Sequence, residues 1–299
     1  MCGIAGIMYK KPGGGDTGKD LIDMLDGCQH RGPDSTGFAL YGEGHDGELL
    51  LRFMIATNDG GKASIGAIKK ILTDYDCEIL DEETEGGNYR VRVNFTGDLQ
   101  KFAYALEHGA TVASIGSSLE IIKDIGGAHD VDDIYHVARY TGTHGLGHVR
   151  LATESDVKPE AAHPFWATGF SDVAIVHNGQ ITNYWIMRRE MERRGHRFMS
   201  NCDSELLAVY TAHNLANGVS LEESLKRSIE EIDGVFTYLV ATKDQLGMAK
   251  DTMAAKPLVL YESDDLIVLA SEEVAIRAIL PQEIDTYDPY DEEVRVWKA

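Results

Sequence analysis

MCGIAGIMY, residues 1–9, places a cysteine directly ahead of a short apolar run. The run contains two isoleucines and has the length of a strand, which predicts a buried β-strand. Methionine aminopeptidases remove Met1 when the second residue is small, and cysteine qualifies. Trimming would leave Cys2 with both a thiol and a free α-amine. The segment therefore predicts a strand that begins directly after a candidate nucleophile.

Cys2 would carry its own base after trimming. An α-amine titrates near 8, so a useful fraction of it is unprotonated at neutral pH. The amine can take the thiol proton, directly or through a water, and leave a thiolate nucleophile without any histidine. A cysteine at position 2 is weak evidence when taken alone, because a structural thiol explains it equally well.

The composition excludes several classes of protein. The chain has 299 residues, of which 43% are hydrophobic and 26% charged, so wholesale disorder is excluded. There are 49 acidic residues against 28 lysines and arginines, a net charge of −21, which argues against binding to nucleic acid or to an anionic membrane. No apolar run reaches the roughly 20 residues of a membrane span, and the first residues lack the pattern of a secretory signal. We therefore expect a cytoplasmic protein.

The four cysteines do not form a recognisable framework. None belongs to a CxxC pair, and a metal site or a disulfide framework would need tighter clustering. We expect no metal, and we interpret the cysteines other than Cys2 as reduced, buried thiols. They are Cys28, Cys77 and Cys202.

The pattern of apolar residues divides the chain into three stretches. Residues 46–133 follow the order strand, helix, strand, strand, helix, strand, with the acidic segment DEETEGGN (81–88) as a turn. This order matches the ferredoxin-like arrangement and predicts a small inserted domain. Residues 1–45 and 134–299 would then form one larger domain. There the strands are grouped between groups of helices, which favours an α+β layered sandwich.

Four residues far from Cys2 in the chain are candidates for ligand binding, and each has a structural alternative. Arg150 ends a predicted strand and can hold a carboxylate bidentately, although a structural ion pair would also explain it. Asn178 and Gly179 can donate a side-chain amide and a backbone N–H to an oxyanion, but Asn-Gly is also a common turn. Asp203 opens a helical pattern, where an N-cap is the ordinary role.

Five motifs follow one another along the chain: MCGIAG (1–6), HRGPDSTG (30–37), GHVRLAT (147–153), HNGQITNY (177–184) and CDSEL (202–206). Together they resemble the class II glutamine amidotransferases, which are glutaminase domains with an N-terminal nucleophile. Two weaker matches continue the resemblance, AKDTMAAKPL at 249–258 and LASEEVAI at 269–276. One such motif could arise by chance, but five in the family's order are specific.

The resemblance implies a fold and a catalytic centre. The fold is a four-layer αββα sandwich, into which the ferredoxin-like segment would be inserted. Cys2 would be the nucleophile, and Asn178 and Gly179 would stabilise the oxyanion. Arg31 and Gly32 would lie beside the nucleophile, with the arginine orienting the chain end.

The resemblance also implies how glutamine is held. Arg150, with help from Thr153, would bind its α-carboxylate, and Asp203 would bind its α-ammonium. Two positions depart from several relatives, which have tryptophan where this chain has Leu151 and histidine where it has Glu154. The extra carboxylate would change the affinity for glutamine or the coupling to a partner without removing the carboxylate clamp.

Other polar residues of these motifs are interpreted as structural. Asp34 and Ser35 are typical turn residues. His163 and His177 are tempting general bases, but the α-amine of Cys2 would already supply the base.

The acceptor of the ammonia is expected on another polypeptide, because no P-loop and no dinucleotide glycine fingerprint is present. Among split systems the chain is most similar to glutaminase subunits of glutamate-synthase-like complexes, including N-methylglutamate synthase. That similarity implies a hetero-oligomer in which the flavin and iron–sulfur cofactors belong to partner subunits and none to this chain. L-Glutamine would be the substrate.

Two alternatives stay open at this point. The chain could instead be a non-catalytic, amidotransferase-like protein that binds glutamine and signals nitrogen status, for which Leu151 and Glu154 are the only support. The segment 46–133 is either a docking or small-ligand regulatory domain or a passive insertion.

Overall fold

A six-stranded antiparallel sheet holds the N-terminal strand near its centre, in a computed structural model that describes residues 2–55, 61–151 and 157–299. The predicted strand at the start of the chain is confirmed as β1 (Gly3–Tyr9), which is buried over its first six residues. Its neighbours on both sides pair with it through regular ladders, which explains this burial. In spatial order the strands are β13 (Val259–Glu262), β14 (Leu266–Ala270), β1, β8 (His144–Arg150), β2 (Ser35–Tyr41) and β7 (Leu119–Ile125).

A second antiparallel sheet of five strands packs against the first, with β1 and β8 contacting the two central strands of the second sheet. Alternate side chains from both sheets fill the space between them, as expected for stacked sheets. In spatial order its strands are β15 (Val294–Lys298), β12 (Gln245–Lys250), β11 (Gly234–Ala241), β10 (Ala174–Ile181) and β9 (Phe165–Trp166).

Helices cover the outer face of each sheet. One hydrophobic cluster joins the six-stranded sheet to α1 (Thr17–Gly27), α4 (Ala128–Tyr135) and α8 (Glu273–Ile279). Another joins the five-stranded sheet to α5 (Tyr184–Arg193), α6 (Asp203–Ala216) and α7 (Leu221–Glu231). The predicted four-layer αββα sandwich is therefore confirmed. Among the residues described, no helix combines the length and apolarity that crossing a membrane requires.

A third sheet of four antiparallel strands lies between β2 and β7 in the chain. It contains two helices, α2 (Lys62–Asp74) and α3 (Leu99–Leu106), in the predicted order strand, helix, strand, strand, helix, strand. The spatial order puts the first strand of the segment between the third and the fourth, as in the ferredoxin-like arrangement. Its strands in spatial order are β4 (Glu78–Glu85), β5 (Asn88–Asn94), β3 (Glu48–Met54) and β6 (Thr111–Gly116).

The far boundary of the predicted insertion, residue 133, is placed too late. The four-stranded sheet ends with β6 at Gly116, and β7 pairs with β2 over seven residues in the six-stranded sheet. Helix α4 packs on β2 and β7 in the same layer. The observed end of the four-stranded sheet depends on strand pairing between distant segments. Such pairing cannot be predicted from the pattern of apolar residues along the chain. The division into two domains stays a prediction.

The acidic segment 81–88 is strand for most of its length, and its interpretation as a turn is wrong. β4 continues through Glu85, and only Gly86 and Gly87 form the turn. Cross-strand partners hold the acidic residues extended: Asp81 pairs with Arg90 at 3.0 Å, and Glu82 accepts a hydrogen bond from Tyr89 at 2.5 Å. Opposite charges across an antiparallel pair stabilise it.

Glu120 of β7 ties the four-stranded sheet to the sandwich. Its carboxylate contacts two arginines of the four-stranded sheet, Arg52 and Arg90, each at 2.9 Å. Burial alone would raise the pKa of Glu120, but the two guanidinium groups together hold it below its usual value. The hydrophobic cluster between the two sheets of the sandwich also contains Leu51 of β3 and Ile121 of β7. The four-stranded sheet and the sandwich therefore share one core.

We expect Glu120→Gln to lower the free energy of unfolding by about 3 kcal/mol, because it removes the carboxylate that pairs with the buried Arg52 and one of the two that pair with Arg90. Chemical denaturation at pH 7 measures this, with the exposed Glu230→Gln as the matched control, expected to stay within about 0.5 kcal/mol of the parent.

The contribution of Glu120 should also depend on pH. A carboxyl whose pKa is lowered on folding stabilises the protein above its unfolded-state pKa, and this stabilisation is lost as the pH falls through the folded-state value. The difference between parent and Glu120→Gln should therefore shrink at acidic pH. Equal stability of the two proteins at pH 7 would contradict the role given to this ion-pair cluster.

Candidate active site

Cys2 is held by both sheets at once. It lies directly before β1, and its carbonyl oxygen accepts hydrogen bonds from Arg31 Nε at 3.1 Å and from Asn178 Nδ2 at 3.2 Å. Its side chain is half-buried. The structure thus brings together three residues that the sequence analysis placed in one site, although 176 positions separate Cys2 from Asn178. Met1 lies outside the described residues.

Arg31 is anchored by an acidic residue that the sequence analysis did not assign a role. The guanidinium is buried, and its Nη1 donates to the carboxylate of Glu272. His30 Nε2 lies 3.2 Å from the same carboxylate. Partial burial would raise the pKa of Glu272, but the hydrogen bond from Arg31 holds it below its usual value. Glu272 belongs to LASEEVAI, so its place in a motif was the signal that could have found it.

Gly32 allows its loop to lie against the end of β8. A Cβ atom at this position would stand 2.5 Å from the backbone nitrogen of Arg150, closer than any side chain permits. The backbone N–H of Asp34 donates to the carbonyl of Arg150 at 3.1 Å. The absence of a side chain at Gly32 therefore allows the loop that carries Arg31 to pack closely against the strand that ends at Arg150.

Arg150 is the last residue of β8 and is 8% exposed. It stands opposite Ser35 of β2, in the same sheet that carries Cys2. A charged group that is buried at the end of a strand beside the candidate nucleophile suits a carboxylate clamp. Thr153, its predicted companion, and Glu154 lie outside the described residues, whereas Leu151 follows directly and is exposed.

Asn178 and Gly179 are in strand β10 rather than in a turn, so the turn interpretation is wrong. They pair with Thr237 and Phe236 of β11. Gly179 has φ +154°, a conformation that favours glycine, and a Cβ there would lie 2.2 Å from the carbonyl oxygen of Val235. Only glycine fits here, because a side chain would clash with the backbone of the neighbouring strand β11.

Asp203 begins α6, but the N-cap position belongs to Cys202. Its Oδ2 instead accepts a hydrogen bond from the backbone N–H of Ile181, at the end of β10, at 3.1 Å. Burial would raise the pKa of Asp203, but His177 and this N–H hold it below its usual value. The side chain is an ionised carboxylate with 25% exposure, which suits an ammonium ligand.

Ser204 connects two buried histidines directly behind Asp203. Its Oγ lies 2.6 Å from His163 Nε2 and 2.9 Å from His177 Nδ1. The ring of His163 stacks on that of His148 at 4.0 Å between centroids. Burial lowers the pKa of His148 to about 3 and that of His163 far below its usual value, so both rings are neutral. His163 and His177 contact Ser204, which agrees with the structural role expected of them.

His148 and Ser204 received no role from sequence. His148 lies in the middle of a strand and Ser204 lies in the first turn of a helix. From the sequence, both positions are typical of ordinary core residues. Their place in the cluster depends on contacts between β8, β10 and α6. Within the described ranges no three His, Cys, Asp or Glu side chains converge as metal ligands.

A family profile described as the glutamine amidotransferase domain matches residues 148–278. A glutamine amidotransferase homologue of Methanothermobacter thermautotrophicus is 37% identical over 309 aligned positions, which cover 100% of both chains. The chain belongs to the class II glutamine amidotransferase family. The glutamine amidotransferase-like protein GlxB of Rhizobium meliloti is 34% identical to this family member, over 100% of this chain and 95% of GlxB. The resemblance drawn from the motifs is confirmed.

Solved structures show that this amidotransferase shares the fold of larger proteins. Glutamine phosphoribosylpyrophosphate amidotransferase of B. subtilis matches 99% of this chain and 47% of its own, with a TM-score of 0.63 at 18% identity. An allosteric regulatory enzyme of purine biosynthesis gives a TM-score of 0.65 at 18% identity, over 99% of this chain and 46% of its own. This chain therefore spans less than half of either structure.

We expect Ser204→Ala to lower the free energy of unfolding by about 2 kcal/mol, because the buried His163 Nε2 then loses its hydrogen-bond partner and His177 Nδ1 is left with the more distant carboxylate of Asp203, at 3.6 Å. Ser64→Ala on α2 is the control, expected within about 0.5 kcal/mol of the parent. Thermal and chemical denaturation of both variants measure the difference. If Ser204→Ala were as stable as the parent, the histidine cluster would not depend on this hydroxyl.

Proposed function

We propose that the chain hydrolyses L-glutamine with Cys2 as its nucleophile, after removal of Met1. The observation that carries this proposal is the pair of hydrogen bonds from Arg31 and Asn178 to the carbonyl oxygen of Cys2. They fix the backbone of Cys2 beside the residues proposed to bind the oxyanion. Such positioning can lower a reaction barrier by several kcal/mol, because the reacting group is already held in place.

The α-amine of Cys2 acts as the base in this proposal. It takes the thiol proton, and the sulfur attacks the side-chain carboxamide carbon of glutamine to form a tetrahedral adduct. The protonated amine returns the proton to the departing nitrogen, the C–N bond breaks and ammonia leaves. A γ-glutamyl thioester remains. Water, deprotonated by the same amine, adds to the thioester, and glutamate is released as the thiol recovers its proton.

Asn178 and Gly179 are proposed to stabilise the tetrahedral adduct. The side-chain amide of Asn178 has two N–H donors. One goes to the carbonyl of Cys2, the only acceptor it has among the described residues, so the second can serve the oxyanion. The backbone N–H of Gly179 would be the other donor. The head group of glutamine would lie between Arg150 and Thr153 on its carboxylate side and Asp203 on its ammonium side.

The ammonia is proposed to go to a synthase site on a separate subunit. Support comes from the two relatives that align over 100% and 95% of their own lengths, whereas only 43% of the amidophosphoribosyltransferase of Methanocaldococcus jannaschii is matched. A glutamate-synthase-like or N-methylglutamate-synthase complex is the proposed assembly. Its flavin and iron–sulfur cofactors would belong to the partner subunits of this hetero-oligomer.

Cys2→Ala should abolish the release of glutamate from glutamine, and Cys2→Ser should nearly abolish it, because the serine hydroxyl is a far weaker nucleophile at neutral pH. Cys77→Ala, at a half-buried cysteine of the four-stranded sheet, is the matched control and should keep parental activity. A coupled assay for glutamate measures turnover, and intact-mass measurement shows whether Met1 is absent.

This assay also separates the two functions considered. A purified parent protein that binds glutamine by calorimetry but releases no glutamate, alone or with its partner subunits, would favour the non-catalytic, glutamine-binding alternative. Parental turnover in Cys2→Ala would rule out the proposed nucleophile.

Asn178→Ala should lower kcat by about a hundredfold or more, since removing one oxyanion donor costs about 3 kcal/mol in the barrier. The KM for glutamine should change little, because this donor acts chiefly on the adduct. Asn217→Ala, at the exposed end of α6, serves as the control. A kcat within a few-fold of the parent would exclude Asn178 from the oxyanion site.

A further inference from the structure

A cavity of about 160 Å³ lies between the four-stranded sheet and the sandwich. Met54 and Val112 line it from the four-stranded sheet, and Lys123, Phe165 and Trp166 line it from β7 and β9. None of the candidate active-site residues that the structure describes lines it. Its volume is well below the roughly 300–1,000 Å³ of pockets for drug-sized ligands, so only a small molecule fits.

Lys123 supplies a positive charge inside this cavity. The side chain is buried at 5% exposure, and its Nζ donates to the carbonyl oxygens of Ala162 at 2.7 Å and Pro164 at 3.2 Å. The same Nζ lies 4.7 Å from the centre of the Phe165 ring. An ammonium has three donors, and among the described residues only these two oxygens accept hydrogen bonds from it, so a ligand acceptor can take the third. Burial lowers the pKa of Lys123 to about 8, so the side chain is charged in most molecules at pH 7.

Two carboxylates line the same cavity, and they differ in what they can bind. Glu205 is buried and already accepts four hydrogen bonds, from Thr168, from Met199 and twice from Ser200, all between 2.7 and 2.8 Å. A carboxylate has about four acceptor sites, so Glu205 is saturated. Glu160 is exposed and has no hydrogen-bond partner among the described residues. It is the acceptor free to meet a cationic group.

We propose that this cavity binds a small aliphatic α-amino acid, distinct from the glutamine of the active site. Its carboxylate pairs with Lys123, its ammonium pairs with Glu160, and its side chain lies against Met54 and Trp166. Lys123 supplies a cation to this largely apolar cavity and Glu160 supplies the unsaturated carboxylate, and the two together match a zwitterion better than either ion alone. A charged side chain such as that of glutamate would meet apolar groups and is disfavoured.

The bound amino acid would alter glutamine affinity, an extension that rests on the proposed glutaminase function. Glu205 follows Asp203 by two residues in α6 and fixes the backbone of Met199 and Ser200, which line the cavity. Lys123 also lies close enough to Arg150 for the two charges to interact. Both contacts reach the residues proposed for the head group of glutamine, so occupancy should change KM rather than kcat.

Isothermal titration calorimetry with L-valine tests the binding site independently of any activity. Isovalerate lacks the ammonium of valine and isobutylamine lacks its carboxylate. We expect one L-valine per chain, and each analogue should bind roughly tenfold or more weakly, the loss expected for a charge-assisted hydrogen bond. Equal binding of isovalerate and valine would overturn the role of Glu160, and equal binding of isobutylamine and valine that of Lys123.

Variants locate the site. Lys123→Met removes the cation, and Met54→Trp fills the cavity from the four-stranded sheet, so both should abolish valine binding. Lys70→Met, at an exposed lysine of α2, should retain it. Thermal denaturation shows which variants are folded. If Lys123→Met does not fold, the result for Met54→Trp decides whether the cavity is the binding site. Full binding in folded Met54→Trp would overturn the site.

The kinetics of glutamine hydrolysis test the coupling between the cavity and the glutamine site. Saturating L-valine should change the KM for glutamine by about fivefold or more, the lower end of ordinary allosteric couplings, with kcat unchanged. Valine binding with an unchanged KM would overturn the coupling and leave the site standing. A chain that releases no glutamate would contradict the proposed function, while the calorimetry would still decide the binding site.

Discussion

The carbonyl oxygen of Cys2 accepts hydrogen bonds from Arg31 and Asn178, and these two bonds join three distant parts of the chain at one atom. Cys2 precedes the central strand of one sheet, Asn178 belongs to the facing sheet, and Arg31 lies in the turn after α1. The first residues of a chain are ordinarily poorly ordered unless something ties them down. Here the tie comes from both layers of the sandwich, so the candidate nucleophile can hold its place only when the two sheets are packed.

Buried charges then surround this fixed point, and each has a partner. Glu272 neutralises Arg31, and the N–H of Ile181 and the ring of His177 support Asp203. Burying a charge is costly unless it is paired and hydrogen-bonded, which explains why the neighbours of the site are themselves polar and well connected. Ser204 with its histidines continues this support into the core. The same logic makes Lys123 informative, because this buried cation lines a cavity and its hydrogen-bond acceptors among the described residues are two neutral carbonyl oxygens.

Local pattern predicted much of the four-stranded sheet but not its limits. The order of its six elements follows from runs of apolar residues. The acidic segment 81–88 was misread because its extended form depends on arginines of the neighbouring strand. The boundary at residue 133 was misplaced for a related reason, since only pairing with β2 assigns β7 to the sandwich. Glu120 then joins the two parts through side chains that are 68 and 30 positions away.

The sequence by itself determined the family, the layered fold and the identity of the candidate site residues, because motif order and apolar periodicity are properties of the chain read in one direction. Only the tertiary structure decided which groups those residues contact. It placed Asn178 and Gly179 in a strand rather than a turn, turned Asp203 from a helix cap into a partner of Ile181, and revealed Glu272 and Ser204 as supports. These roles depend on hydrogen bonds between residues far apart in the chain, and such bonds form only when the sheets and helices pack together.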